Sequence, residues 1–178
     1  METRPPGQNP GVFYMPQHPL TTIISGGQTG ADRAALDAAL EASFPCGGYC
    51  PKDRLAEDGP IDMKYPLIEI HGGYSQRTRK NVIESDGTVI FYHRRPTGGT
   101  EQTLMFCIRT RKPYQLIDID LTDPETAAQK TIEFISEYSV RTLNVAGPRA
   151  GNCPGIYRFV KTVIGRIIFP DGHSIPRI

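Results

Sequence analysis

Glycine, threonine and arginine recur along this chain in the combination that holds an oxyanion. Ser25-Gly26-Gly27-Gln28-Thr29-Gly30 follows the apolar pair Ile23-Ile24 and leads into an alanine-rich stretch that begins Ala31-Asp32-Arg33. Gly98-Gly99-Thr100 comes shortly after Thr88-Val89-Ile90-Phe91-Tyr92, and Gly147-Pro148-Arg149-Ala150-Gly151 comes directly after Leu143-Asn144-Val145-Ala146. Glycine lets a backbone bend sharply and come close to a ligand. A helix that starts just beyond such a turn offers unpaired N–H groups and the positive end of its dipole. That is the usual seat of a phosphate. Thr29 and Thr100 would add hydroxyls, and Arg33 and Arg149 would add charge. The competing reading is a set of tight strand-to-helix turns with no ligand.

Known phosphate patterns do not fit. No Lys-Ser/Thr follows the glycines, so there is no P-loop, and Gly26-Gly27-Gln28-Thr29-Gly30 has the wrong spacing for G-x-G-x-x-G. Two further polar groups are candidates. The irregular stretch from Pro45 to Pro66 holds Lys52, Asp53, Arg54, Glu57 and Asp58. A loop of that length in a compact domain is either functional or an ordinary solvated connection. In the functional case Lys52 and Arg54 complement a phosphate, and Glu57 or Asp58 meets ligand hydroxyl or amine groups. Arg77, Arg79 and Lys80 crowd a second stretch, as a solvated face or, for Arg77 or Arg79, as ligand contacts. Glu57, Asp58 and Glu101 are the acids that could serve as general acid or base.

These residues need elements to hold them. Thr21 to Ser25 reads as a buried strand because it is continuously apolar. Alanines at 31, 34, 35, 38, 39 and 42 fall at helical spacing, with Leu36 and Leu40 on the same face. Ile68 to Ile70 suggests a short strand and Ser75 to Glu84 a helix. Gly87 to Tyr92 is a second buried strand, followed by a helix to Arg111 with Leu104, Met105 and Ile108 expected inward. Tyr114 to Ile119 is a third strand. Asp123-Pro124-Glu125 opens a helix with an N-cap, a proline and an acid. Thr142 to Ala146 is a fourth strand. Apolar residues at 156, 159, 160, 163, 164 and 167 form a helical stripe. Strands alternating with helices predict an α/β domain whose parallel sheet has right-handed crossovers. In such a sheet all three glycine turns lie at the carboxyl edge, where ligands bind.

Composition narrows the function. The chain has 178 residues, 38% hydrophobic and 22% charged, with 20 basic and 19 acidic side chains for a net charge of +1. That balance speaks against a nucleic-acid binder. No apolar run approaches the roughly 20 residues that span a bilayer. Residues 1–19 lack a signal core and predict a flexible tail, 20–169 a single domain, and 170–178 a second tail. Cys46, Cys50, Cys107 and Cys153 lack the spacing of a zinc site, so no structural metal is expected. Free thiols suit a cytoplasmic protein.

Ser25 to Asp37 resembles the opening motif of the family known as putative molybdenum carriers. The likeness continues through Tyr49-Cys50-Pro51-Lys52, Arg54-Leu55-Ala56-Glu57-Asp58-Gly59, Tyr65-Pro66-Leu67, Arg77-Thr78, Asn81-Val82, Ser85-Asp86-Gly87-Thr88, Gly98-Gly99-Thr100 and Leu143 to Arg149. It covers residues 20 to 168. That family is a circularly permuted branch of the SLOG superfamily, related to the LONELY GUY phosphoribohydrolases and lysine decarboxylase-like proteins. The resemblance implies a three-layer Rossmann-like domain with a mostly parallel central sheet and helices on both faces. In it, Leu143 to Arg149 corresponds to the start of the unpermuted domain. It also implies a small phosphorylated ligand, nucleotide-like or a pterin such as molybdenum cofactor, and assembly into dimers or larger oligomers. The phosphoribohydrolases carry P-G-G-x-G-T-x-x-E, whose Glu helps to cleave the N-glycosidic bond. Here Thr103 stands three residues after Thr100, and Glu101 would point to another side of the helix. Three readings follow: a carrier or binding protein using Gly26 to Gly30, Arg33 and the other turns; a nucleotide hydrolase using Glu101 or Glu57 and Asp58; and a purely structural domain.

Overall fold

A computed structural model describes residues 18–170. The two expected tails lie outside those residues apart from His18, Pro19 and Pro170. His18 is buried, with its Nε2 2.9 Å from the Ile167 carbonyl oxygen.

In chain order, β1 (Thr22–Ile24) leads to α1 (Ala31–Glu41). Short strands follow: β2 (Cys46–Gly47), β3 (Tyr49–Pro51), β4 (Leu55–Ala56), β5 (Gly59–Pro60) and β6 (Ile68–Ile70). The rest is α2 (Tyr74–Glu84), β7 (Gly87–Tyr92), α3 (Gly98–Thr110), β8 (Tyr114–Asp118), α4 (Pro124–Glu137), β9 (Thr142–Ala146) and α5 (Ile156–Ile168). The start of α4 matches its sequence signal: Asp123 accepts the N–H groups of Glu125 and Thr126 at 3.0 Å, and Pro124 needs no partner for a missing N–H.

The central sheet has five strands in the order β2-β1-β9-β7-β8, every pair parallel. Alternation along the strands builds two cores. Ile23, Val89, Phe91, Leu143 and Val145 face one side and pack against α1, α4 and α5. Ile90 faces the other side, with Val82 of α2 and Cys107 of α3. The chain is thus a three-layer α/β domain of Rossmann-like type. Small alanines at 31, 34, 35, 38 and 39, all buried, let α1 lie close to α5. The buried stripe of α5 (Ile156, Val160, Val163, Ile164, Ile167) fills the opposite side of that contact, each side chain contributing about 1.5–3 kcal/mol relative to exposure.

Handedness fixes where the layers separate. Leftward moves along the sheet, β1 to β2 and β8 to β9, run through α1 and α4 on one face. Rightward moves, β2 to β7 and β7 to β8, run through α2 and α3 on the other. The helices after β9 and β7 therefore diverge to opposite faces, and a crevice opens between those two strand ends. No helix among the described residues is long and apolar enough to cross a membrane.

Two local expectations differ from the structure. Met105 and Ile108 are exposed, and Thr100, Thr103 and Cys107 are the buried side chains of α3. That helix turns small and polar groups inward because it stands partly over a cavity. The short strand expected at Ile68 to Ile70 is present as β6, which pairs with β3 in a separate two-stranded sheet. The stretch from Pro45 to Pro66 is not an open loop: β2 adds an edge strand to the main sheet, and β4 pairs with β5.

Candidate functional site

At the carboxyl edge, between the ends of β9 and β7, lies a cavity of about 540 Å³. Parts of all three glycine turns line it: Gly26 and Gln28, then Gly98, Gly99 and Thr100, then Gly147, Pro148 and Arg149. α2 contributes Tyr74, Arg77, Thr78 and Asn81. The strands β1, β9 and β7 are neighbours in the sheet, which is why turns far apart in the chain meet here.

The first turn is closed on itself. Asp32, in the first turn of α1, is buried, and its carboxylate faces the N–H groups of Gly26 and Gln28. It pairs with Arg77, Nη1 to Oδ2 at 2.9 Å, with both side chains almost wholly enclosed. Burial pushes the Asp32 carboxyl above its ordinary value, against the pull of Arg77 and the two backbone donors. Arg77 lies on the backbone of Gly26, so that a Cβ there would come within 1.6 Å of Nη1. Its Nε is buried without an acceptor among the described residues. The N–H groups of Gly27 and Thr29 are also engaged, Gly27 with Ser25 Oγ at 3.4 Å and Thr29 with Gln28 Oε1 at 3.0 Å.

The third turn is zipped to the first. Ala31 N–H donates to the Pro148 carbonyl at 3.2 Å, and Ala150 N–H donates to Thr29 Oγ1 at 3.2 Å. A Cβ on Gly30 would stand 2.4 Å from Pro148 O, and one on Gly147 2.7 Å from Ala31 Cβ. Glu57 seals the seam by accepting from the Thr29 hydroxyl and, at 3.1 Å, from Gly151 N–H. The Thr29 hydroxyl, then Gly151 N–H and Arg149, hold the Glu57 carboxyl below its ordinary value.

Several predicted site residues therefore lie outside the cavity lining. Gly27 has φ +74°, and its Cβ position faces Leu67 and Ile61 rather than a ligand. Thr29 and Gly30 belong to the seam. Arg33 pairs with Asp58 and donates to the Gly27 carbonyl at 3.1 Å. The hydrogen bond from Arg33 to Asp58 holds the Asp58 carboxyl below its ordinary value. Lys52 is exposed. Arg54 is buried and donates to the carbonyls of Ile61 (2.8 Å), Asp62 (2.8 Å), Tyr65 (2.9 Å) and Leu67 (3.2 Å), which makes it the internal tie of its segment. Glu101 is exposed on α3, and Glu57 and Asp58 are occupied as above.

The second turn is open. α3 begins without a side-chain cap, and nothing lies within 4 Å of a Cβ built on Gly98 or Gly99. Thr100 is buried against the cavity, and Thr103 donates to the Gly99 carbonyl at 2.9 Å. Thr103 thus lines the cavity at the position where the hydrolase pattern has its glutamate.

Residues that sequence reasoning missed complete the lining. Asn144 is buried in β9 and donates to Thr88 Oγ1 at 3.2 Å. Its signal was a polar residue inside an apolar strand. Asn81 is buried and clamps the backbone of Tyr49, accepting from its N–H at 2.9 Å and donating to its carbonyl at 3.0 Å. Tyr92, His93 and Arg95 stand on the β7 side. His93 Nδ1 is 2.7 Å from Asp120, which also accepts the Arg94 N–H at 3.1 Å. An ionised carboxylate only accepts, so Nδ1 donates to it. Among the described residues no cluster of three or more His, Cys, Asp or Glu could hold a metal ion.

No curated protein matches the chain. A solved structure does: the crystal structure of "Putative molybdenum carrier protein" from Syntrophus aciditrophicus is 43% identical to it. The match covers 85% of this chain and 96% of that one, with a TM-score of 0.82. The model of the circularly permutated YpsA SLOG family matches residues 23–168. The permutation agrees with the topology, since β9, the central strand carrying Gly147-Pro148-Arg149, comes last in the chain. The chain belongs to the circularly permutated YpsA family of SLOG proteins.

Proposed function

We propose that the chain binds a small phosphorylated ligand, nucleotide-like or a pterin, in the cavity at the β9–β7 crevice, and that it is a carrier of molybdenum cofactor. The observation that carries this reading is the contrast inside one cavity. The turn at α3 leaves Gly98 and Gly99 unobstructed at an uncapped helix start, with Thr100 beside them, whereas the other turns are filled by the protein itself. Backbone donors at a helix start cost little to organise because they are already fixed. Arg95 and Arg149 line the same cavity and supply positive charge. Asn81, Asn144, Thr78 and Thr103 give the remainder a neutral polar wall that suits a heterocycle. The Syntrophus protein's name supports a molybdenum cargo, and the residues here suit the phosphate and ring of a molybdenum cofactor. The molybdenum would travel with the cofactor.

Binding fits this site better than hydrolysis. Asp32 is the only carboxylate in the lining among the described residues, and it is buried under Arg77. The test is titration of the protein with molybdenum cofactor and with nucleoside 5′-monophosphates, following bound ligand and released base together. Saturable binding without base release is expected. Gly99→Val should weaken it by at least about tenfold, by blocking the approach to the helix start. Steady release of free base would establish the hydrolase. No binding of any phosphorylated ligand would leave a structural domain.

A further inference from the structure

We infer that Asp32 is a built-in second anion, so that the cavity accepts a ligand with one phosphoryl group and discriminates against diphosphate esters. The inference rests on the binding reading above and concerns the turn that a second phosphate would reach. A phosphate at a glycine turn draws on backbone N–H groups, the start of a helix and a guanidinium. At the Gly26 to Gly30 turn, two of the backbone N–H groups, those of Gly26 and Gln28, and the Arg77 guanidinium serve a carboxylate of the chain itself. Asp32 stands in the first turn of α1, faces the N–H groups of Gly26 and Gln28, and holds Arg77 at 2.9 Å.

The arrangement is tightly fitted. The side chains of Arg77 and Asp32 are 12% and 7% exposed, and Arg77 lies so close to Gly26 that only glycine fits beneath it. Arg33, the other cation of this turn, is held by Asp58. Asp32 and Arg77 line the cavity that also holds Gly98 and Gly99. A monophosphate at α3 leaves the pair intact. The outer group of a diphosphate that extends from α3 toward the first turn lies beside the Asp32 carboxylate or takes Arg77 from it. Like charges in a shielded cleft repel far more than in water, and stripping a buried carboxylate of its partner is costly.

The test is calorimetric titration of wild type and Asp32→Asn with adenosine 5′-monophosphate and 5′-diphosphate. Wild type should bind the monophosphate at least about tenfold more tightly, and Asp32→Asn should bring the two within about threefold, chiefly by gaining diphosphate affinity. Circular dichroism and thermal melting check that the variant is folded. If it is not, Asp32→Asn/Arg77→Gln, which removes both charges, is titrated in its place and should lose the discrimination in the same way. A preference for the monophosphate that survives in the folded variant overturns this inference alone. Equal affinities in wild type also overturn it. Failure of wild type to bind either nucleotide overturns it together with the binding reading.

Discussion

Two glycine turns meet at one cavity and differ in what fills them. At Gly26 to Thr29 the N–H groups are spent on Ser25, Gln28 and Asp32, and an arginine covers the backbone. At Gly98 to Thr100 the same elements, glycines before a helix, are left uncapped and open. In the first turn close packing of protein on protein requires glycine; in the second nothing packs on Gly98 or Gly99, as the proposed anion site needs. Glycine content alone does not distinguish an anion site from a joint. The fate of the N–H groups does.

The contrast can be broken most forcefully at the joint. Gly30→Val should destabilise the fold by more than about 3 kcal/mol in denaturant titration, because φ is +81° and the new side chain would strike Pro148 and Ala150. A smaller loss, with both turns intact, would show that the seam yields. Next comes Arg54→Met, expected to cost about 2–4 kcal/mol by leaving buried carbonyls without a donor. Arg54→Lys should not rescue it, since one ammonium cannot reproduce the planar fork. At the open turn Gly99→Ala should change stability by less than about 1 kcal/mol, because the space above it is empty, while still weakening ligand binding.

The smallest effect is electrostatic. Glu57 is held below its ordinary value of 4.5, so its folded form is favoured above that value. The contribution is lost as the pH falls from there through the lower folded value. Glu57→Gln should flatten that limb of an acid-unfolding curve by a few tenths of a kcal/mol, since the group is exposed. An unchanged limb would show that the seam does not depend on this charge.

Much of this was legible in the residues. Apolar runs marked β1 and β7, and the stripe of α5 and the capped start of α4 were plain in the spacing. The meeting of the three turns followed from parallel topology. What was not legible depended on burial. Arg54 and Arg33 look like ligand-binding cations in sequence, yet one is saturated by carbonyls and the other by Asp58. Asp32 reads as an ordinary first-turn acid, and nothing in its spacing reveals the partner 45 residues away in Arg77. β2, two residues long, has no pattern to detect. Met105 and Ile108 misled because helical apolar spacing says that a face exists, not which way it turns.

The place of β9 has a consequence for how the molecule comes into being. It lies between β1 and β7, joining the pair β2-β1 to the pair β7-β8. During synthesis those two half-sheets emerge first, each with an unpaired inner edge, and neither can close on the other until residues 142–146 leave the ribosome. The cavity takes walls from both halves and from β9, so it cannot exist in a nascent chain before β9 has joined them. Long-range closure of this kind is slow and leaves strand edges exposed to wrong partners. A chain that stops short of β9 is therefore a pair of half-sheets, each with an unpaired inner edge open to wrong partners.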